Sequence, residues 1–180
     1  MGQHAWGLNL DWVTADLAMG GRFPVEAAEY LARQLAIHHI VDVRREARDD
    51  EHVLHEHGIS LLHLPTEDMC AISRHLLHEG VRWVRGHLGE GRKVYIHCEH
   101  GIGRSALLAL CVLVELGQAP LEALERAKRA RPRVSPSPEQ LEAFRAWAEE
   151  RRVERGLPWR TPGFDELAHI AYRHLRPSVG

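Results

Sequence analysis

At 180 residues, with 44% hydrophobic and 27% charged residues, the chain can bury one core and is too mixed for a disordered or fibrous class. A formal net charge of −2 gives no basis for expecting nucleic acid or an acidic membrane as partner. Three cysteines, Cys70, Cys98 and Cys111, make neither a disulfide framework nor a Cys-x-x-Cys zinc pattern, and the first residues lack a signal-peptide profile, so a cytoplasmic setting is expected.

In chain order, Pro24 to Ile37 has helical apolar spacing, and His39 to Val43 reads as a short buried strand. Ile59 to Leu64 is a second strand, expected to stop at Pro65. His75 to Leu88 is helical and ends at Gly89-Glu90-Gly91; the strand Val94 to Ile96 follows at once. Ser105 to Leu116 is a helix apolar on all sides, hence buried, though its longest apolar run, Ala106 to Val114, is half of a bilayer span. Pro120 to Ala130 is amphipathic, and Ser137-Pro138-Glu139-Gln140 signals the start of a last long helix reaching about Arg152. A weaker helical stretch covers Asp165 to His174. Strands alternating with helices predict one α/β domain, residues 1–155, with a central mostly parallel sheet flanked by helices, and residues 156–180 as an extension packed on it or partly flexible.

The chemistry concentrates in His97-Cys98-Glu99-His100-Gly101-Ile102-Gly103-Arg104-Ser105. Strand, glycine-containing loop and helix start follow one another there. Such a loop turns its backbone N–H groups toward a common centre, and the helix adds the positive end of its dipole. Residues 99 to 103 and Arg104 are thus a cradle for a phosphate dianion, closed by a guanidinium fork that fits two oxygens. A thiol at the edge of that cradle ionises readily, which makes Cys98 a nucleophile. Ser105 is placed to donate to its sulfur, and His97 to orient the loop. The leaving oxygen needs a proton; the segment after Pro65 offers Asp68, with Glu67 as the fallback. No metal or other cofactor is called for.

The pattern His-Cys-x-x-Gly-x-x-Arg-Ser resembles the signature of the protein tyrosine and dual-specificity phosphatase superfamily, and the chain's length and layout resemble the small atypical dual-specificity members. The resemblance spans roughly residues 8 to 150, including Asn9 to Val13. It implies the cysteine phosphatase fold, a phosphocysteine intermediate, and catalysis by Cys98, Arg104, Ser105 and Asp68. It also implies a phosphorylated protein substrate, on tyrosine and also serine or threonine. Glu99 and His100 stand where relatives acting on phosphoinositides often carry Lys or Arg, which points away from highly charged lipid headgroups. Inositol phosphates, RNA 5′-phosphates, a non-catalytic phosphate-binding module and a rhodanese-like sulfur carrier are the alternatives. Arg131 and Arg133 read as complements to a helix dipole, Gln140 as half of a capping box, and Asp42 to Glu46 as support for the loop from below.

Overall fold

A computed structural model of the chain describes residues 6–178. Its sheet has the order β1-β2-β5-β3-β4, formed by β1 (Leu10–Trp12), β2 (Leu17–Gly20), β3 (Ile37–Arg44), β4 (Ser60–Thr66) and β5 (Lys93–His97). β1 pairs antiparallel with β2; the other neighbours are parallel. β3 and β5 are the apolar runs that strands covered on both faces require, and Ile40, Val41, Val43, Val94 and Ile96 are all buried.

Helices α1 (Ala28–Arg33) and α2 (Glu51–Glu56) cover one face around Leu31, Leu54, Ile59 and Tyr95. Helices α3 (Arg74–Gly89), α4 (Arg104–Glu115), α5 (Pro120–Ala130), α6 (Pro138–Arg155) and α7 (Phe164–Ala171) build the larger core on the other. α4 is its axis, with Arg104 through Val114 buried, which accounts for its all-round apolar sequence. None of the helices among the described residues is long and apolar enough to cross a membrane.

Three elements depart from expectation. The first helix is shorter, a 3-10 turn at Val25–Ala27 followed by α1; Ala36 takes a positive φ of 55°, and Ile37 already belongs to β3. β4 runs through Pro65 to Thr66, because it is an edge strand where a missing N–H is tolerated and its pairing with β3 shifts register between Asp42 and Arg44. The β1–β2 hairpin, with strands of 3 and 4 residues, is too short for a period in the sequence to mark it; Thr14 Oγ1 tightens its turn by accepting from the amides of Asp16 and Leu17.

α6 begins with the expected capping box, Ser137 and Gln140 each bonding the other's backbone N–H, and ends at Gly156 with φ 59°. The following residues pack back: Leu167 and Ala171 are fully buried. Lys128 Nζ, at the end of α5, donates to the carbonyls of Pro132, Val134 and Ala171 at 2.7, 2.8 and 2.9 Å. Tyr172 Oη donates to the Pro136 carbonyl at 2.5 Å. The product is a rigid frame in which β5 delivers residue 98, and α4 residue 104, to the carboxyl end of the parallel strands.

Candidate active site

The loop between β5 and α4 closes on Cys98. Its Sγ lies 3.3 Å from Ser105 Oγ and accepts from the Gly101 amide, also at 3.3 Å. Burial pushes the thiol up, but the hydrogen bonds from Ser105 and Gly101 and the Arg104 charge outweigh it and hold Cys98 below the ordinary thiol range. Gly103 caps α4 with no side-chain bond, so the helix's first amides stay available to an anion. Gly101 is obligatory: its φ is +72°, and a Cβ there would stand 2.4 Å from the backbone of Gly20.

Arg104, 1% exposed, reaches over the same centre. Its Nη1 donates to Glu46 Oε2 at 2.7 Å and to the Thr66 carbonyl at 2.8 Å, while Nη2 donates to Glu46 Oε1 at 2.6 Å. That bidentate bond holds the Glu46 carboxyl down at about 2. Nε is buried and has no partner among the described residues. Asp68 Oδ1 sits 3.6 Å from Nη2 on an exposed loop, beside Met69, whose φ is +65°. Glu67 is turned away into an ion pair with Arg45 at 2.7 Å. Of the two carboxylates considered for the acid, only Asp68 faces the cradle.

The loop is braced on both sides. Behind it, His97 is fully buried, its Nδ1 3.2 Å from the Cys98 carbonyl and its Nε2 2.6 Å from Asp49 Oδ2. A carbonyl only accepts, so Nδ1 carries the proton. Burial lowers the imidazole's basicity, but the bond to Asp49 and the charges of Asp49 and Asp42 reverse this and hold it above its ordinary value. Asp42, Asp49 and His97 are close enough to share a metal ion. Arg44 brings a positive charge to the two carboxylates, bonding Asp42 at 3.0 Å and Asp49 at 3.1 Å. The expectation that Asp42 to Glu46 supports the loop is thus drawn in detail, and Glu46 goes further, gripping Arg104 directly.

In front, Arg131 differs from the dipole role expected of it. Buried, it donates to the carbonyls of Gly101 and His100, each at 2.8 Å, and to Asn9 Oδ1 and Asp11 Oδ2 at 2.6 and 2.9 Å. Ser137 Oγ donates to the Met69 carbonyl at 2.6 Å, and Gln140 Nε2 to that of Cys70 at 3.0 Å, so the cap of α6 also anchors the loop that carries Asp68. Glu99 points out of the cradle: Arg44 Nη1 and Arg22 Nε lie 3.0 and 3.2 Å from its oxygens. Cys70 and Cys111 are free thiols, like Cys98.

Cleft size does not locate this site. A cleft of about 680 Å³ runs along α3 past His75, Trp83 and Glu90 and touches none of the signature residues. The anion chemistry locates it.

The chain's known relatives agree on the family. The mouse protein phosphatidylglycerophosphatase and protein-tyrosine phosphatase 1 is 33% identical over 95 residues, 52% of this chain and 49% of that protein, so the chain spans about half the length of the relative it matches. The crystal structure of Tk-PTP in the active form aligns with a TM-score of 0.72 at 27% identity, over 78% of this chain and 97% of that one. PTPMT1 in complex with PI(5)P aligns with a TM-score of 0.75 at 20% identity, over 82% of this chain and 99% of that one, a likeness of fold. The family model for the dual specificity phosphatase catalytic domain matches residues 24–150, and the chain belongs to that family.

Proposed function

We propose that the protein is a metal-independent phosphomonoester hydrolase working through a phosphocysteine at Cys98. The observation that carries this reading is the placement of one sulfur against Ser105 Oγ and the Gly101 amide, under an arginine whose Nε remains unpaired. The Cys98 thiolate attacks phosphorus in line, while Asp68 gives its proton to the departing oxygen. Arg104 and the loop amides hold the equatorial oxygens as charge spreads over them. Water then attacks the phosphocysteine, returning a proton to Asp68, and Ser105 donates to the sulfur as it leaves. Free phosphate departs and the thiolate is restored.

For the substrate, phosphorylated protein, on tyrosine and also serine or threonine, is our first reading. Asp68 and Met69 are well exposed at the rim, so an extended phosphopeptide meets no wall there. A lipid phosphomonoester is the second. It is favoured by the mouse relative's description as a phosphatidylglycerophosphatase and by the engagement of Glu99 with Arg22 and Arg44, which removes most of the repulsion expected from an acid in the loop. Initial rates on a phosphotyrosine peptide, a phosphoserine peptide and phosphatidylglycerophosphate in mixed micelles separate them. The first reading predicts the larger kcat/KM on the peptides; a larger value on the lipid assigns the second.

A further inference from the structure

The segment beyond α6 reaches the surroundings of Cys98 through a short series of backbone carbonyls. The dual specificity phosphatase domain matches residues 24–150, so α7 and the 3-10 turn after it, Arg173–Leu175, lie outside that domain. They end against the connection from α5 to α6, residues 131–137.

That connection has few means of holding its own shape. Pro132 and Pro136 carry no N–H, and their carbonyls need donors from elsewhere. Two side chains supply them. Lys128, 2% exposed, gives its Nζ protons to the carbonyls of Pro132 and Val134 at 2.7 and 2.8 Å. The same ammonium meets the Ala171 carbonyl at 2.9 Å and His174 Nδ1 at 2.8 Å, which ties the connection to the end of α7. Burying an ammonium is unfavourable unless its N–H groups find acceptors, and here the acceptors are these carbonyls. Tyr172 Oη serves the Pro136 carbonyl at 2.5 Å. Arg173 clips the turn to α5 through Glu125 at 2.8 Å, and Leu167 and Ala171 share one core with Val134.

The carbonyls held in this way alternate with the groups that hold the site. Pro132 follows Arg131, which donates to the carbonyls of Gly101 and His100. Val134 precedes Ser135, whose N–H donates to the Ile102 carbonyl at 3.0 Å. Pro136 precedes Ser137, which donates to the Met69 carbonyl beside Asp68. Each carbonyl is one residue away from a bond to the Cys98 loop or to the Asp68 loop.

We propose that Lys128 and Tyr172 are positioning residues for phosphoryl transfer, so that the segment after α6 is a working part of the site. This rests on the hydrolase reading above. Lys128 acts through Arg131 and Ser135 on the Cys98 loop, and Tyr172 acts through Ser137 on the loop that carries Asp68. The two leave different signatures. Proton delivery counts most when the leaving oxygen is a strong base, so loss of the Tyr172 hydroxyl slows phenyl phosphate more than 4-nitrophenyl phosphate. Loss of the Lys128 ammonium disturbs the amides around the Cys98 sulfur and slows both alike.

Measurement of kcat/KM on these two aryl phosphates, for the full chain, its variants and Cys98→Ser, tests this. Tyr172→Phe, which keeps the ring, is expected to lower the value about fivefold on phenyl phosphate and by under about twofold on 4-nitrophenyl phosphate, the scale of one hydrogen bond. Lys128→Met is expected to lower both by about tenfold and to raise the pH midpoint for alkylation of Cys98. A role in folding alone moves the thermal unfolding midpoint and neither of these readouts. Tyr172→Phe equal to the wild type, or slowed equally on both substrates, overturns the role of Tyr172. An unchanged alkylation midpoint in Lys128→Met overturns that of Lys128. Should Lys128→Met not fold, Tyr172→Phe decides alone, with thermal unfolding as its check on integrity. Turnover that is absent in the wild type, or that survives in Cys98→Ser, defeats the hydrolase reading itself and this inference with it.

Discussion

Burial alone would push the Cys98 thiol up, away from the ionised form that a nucleophile needs. Ser105, Gly101 and Arg104 bring it back down, whereas Cys111, buried in α4 without such neighbours, is held well above the ordinary range. The rate of alkylation at Cys98 against pH is therefore expected to show a midpoint below 9.0. Ser105→Ala moves that midpoint up; an unchanged midpoint would remove Ser105 from the thiolate's environment. These residues were legible in the sequence because they are neighbours along it, and a strand–loop–helix order converts that nearness into a cradle. Glu46 was not legible as a partner of Arg104. It lies 58 residues away, and only the parallel placement of β3 beside β5 brings its loop over the guanidinium.

At the scale of elements, the connection from α5 to α6 does the bracing. Arg131 holds the outer carbonyls of the Cys98 loop, and Ser137 with Gln140 holds the Asp68 loop, so one segment sets the distance between the proposed nucleophile and the proposed acid. Arg131→Met strips two loop carbonyls, Asn9 and Asp11 of their donor. The expected cost is about 3 kcal/mol of stability, together with a fall in kcat larger than any rise in KM. Urea unfolding and steady-state kinetics read the two effects; a full loss of stability with kcat preserved would show that Arg131 supports the fold alone. The capping box of α6 was readable from Ser137 and Gln140, but its second use was not. A cap motif reports which helix starts, and says nothing of which distant carbonyls its spare hydrogen bonds find. The same limit applied to Arg131, whose place at a helix end suited a dipole role equally well.

For the whole molecule, two buried histidines shape stability in opposite directions. His39, stacked on His87 with centroids 3.7 Å apart, is pushed down to about 4 by burial and by the His87 charge. Between pH 6.5 and about 4 the unfolded chain binds the proton that the folded one refuses, so stability falls as the pH falls through that window. His97 is held above 6.5, so its contribution is full below 6.5 and is lost as the pH rises through its folded value. Together they place the histidine-dependent optimum near 6.5, and His39→Gln is expected to flatten the acid limb of a plot of unfolding free energy against pH. An acid limb unchanged by that substitution would contradict the assignment. The α/β class, the long helices and the strand feeding Cys98 were all readable from period and composition. The hairpin β1–β2 and the continuation of β4 through Pro65 were not, since both depend on which strands end up at the sheet's edges.

The phosphocysteine reading is tested most directly by the hydrolysis of a small aryl phosphate in the presence of EDTA, comparing the wild type with Cys98→Ser and Asp68→Asn. The account predicts metal-free turnover by the wild type, at least about 10³-fold less in Cys98→Ser, and turnover lowered by about 10²-fold or more in Asp68→Asn. Turnover that survives in Cys98→Ser, or that appears only when a divalent metal is restored, would contradict it.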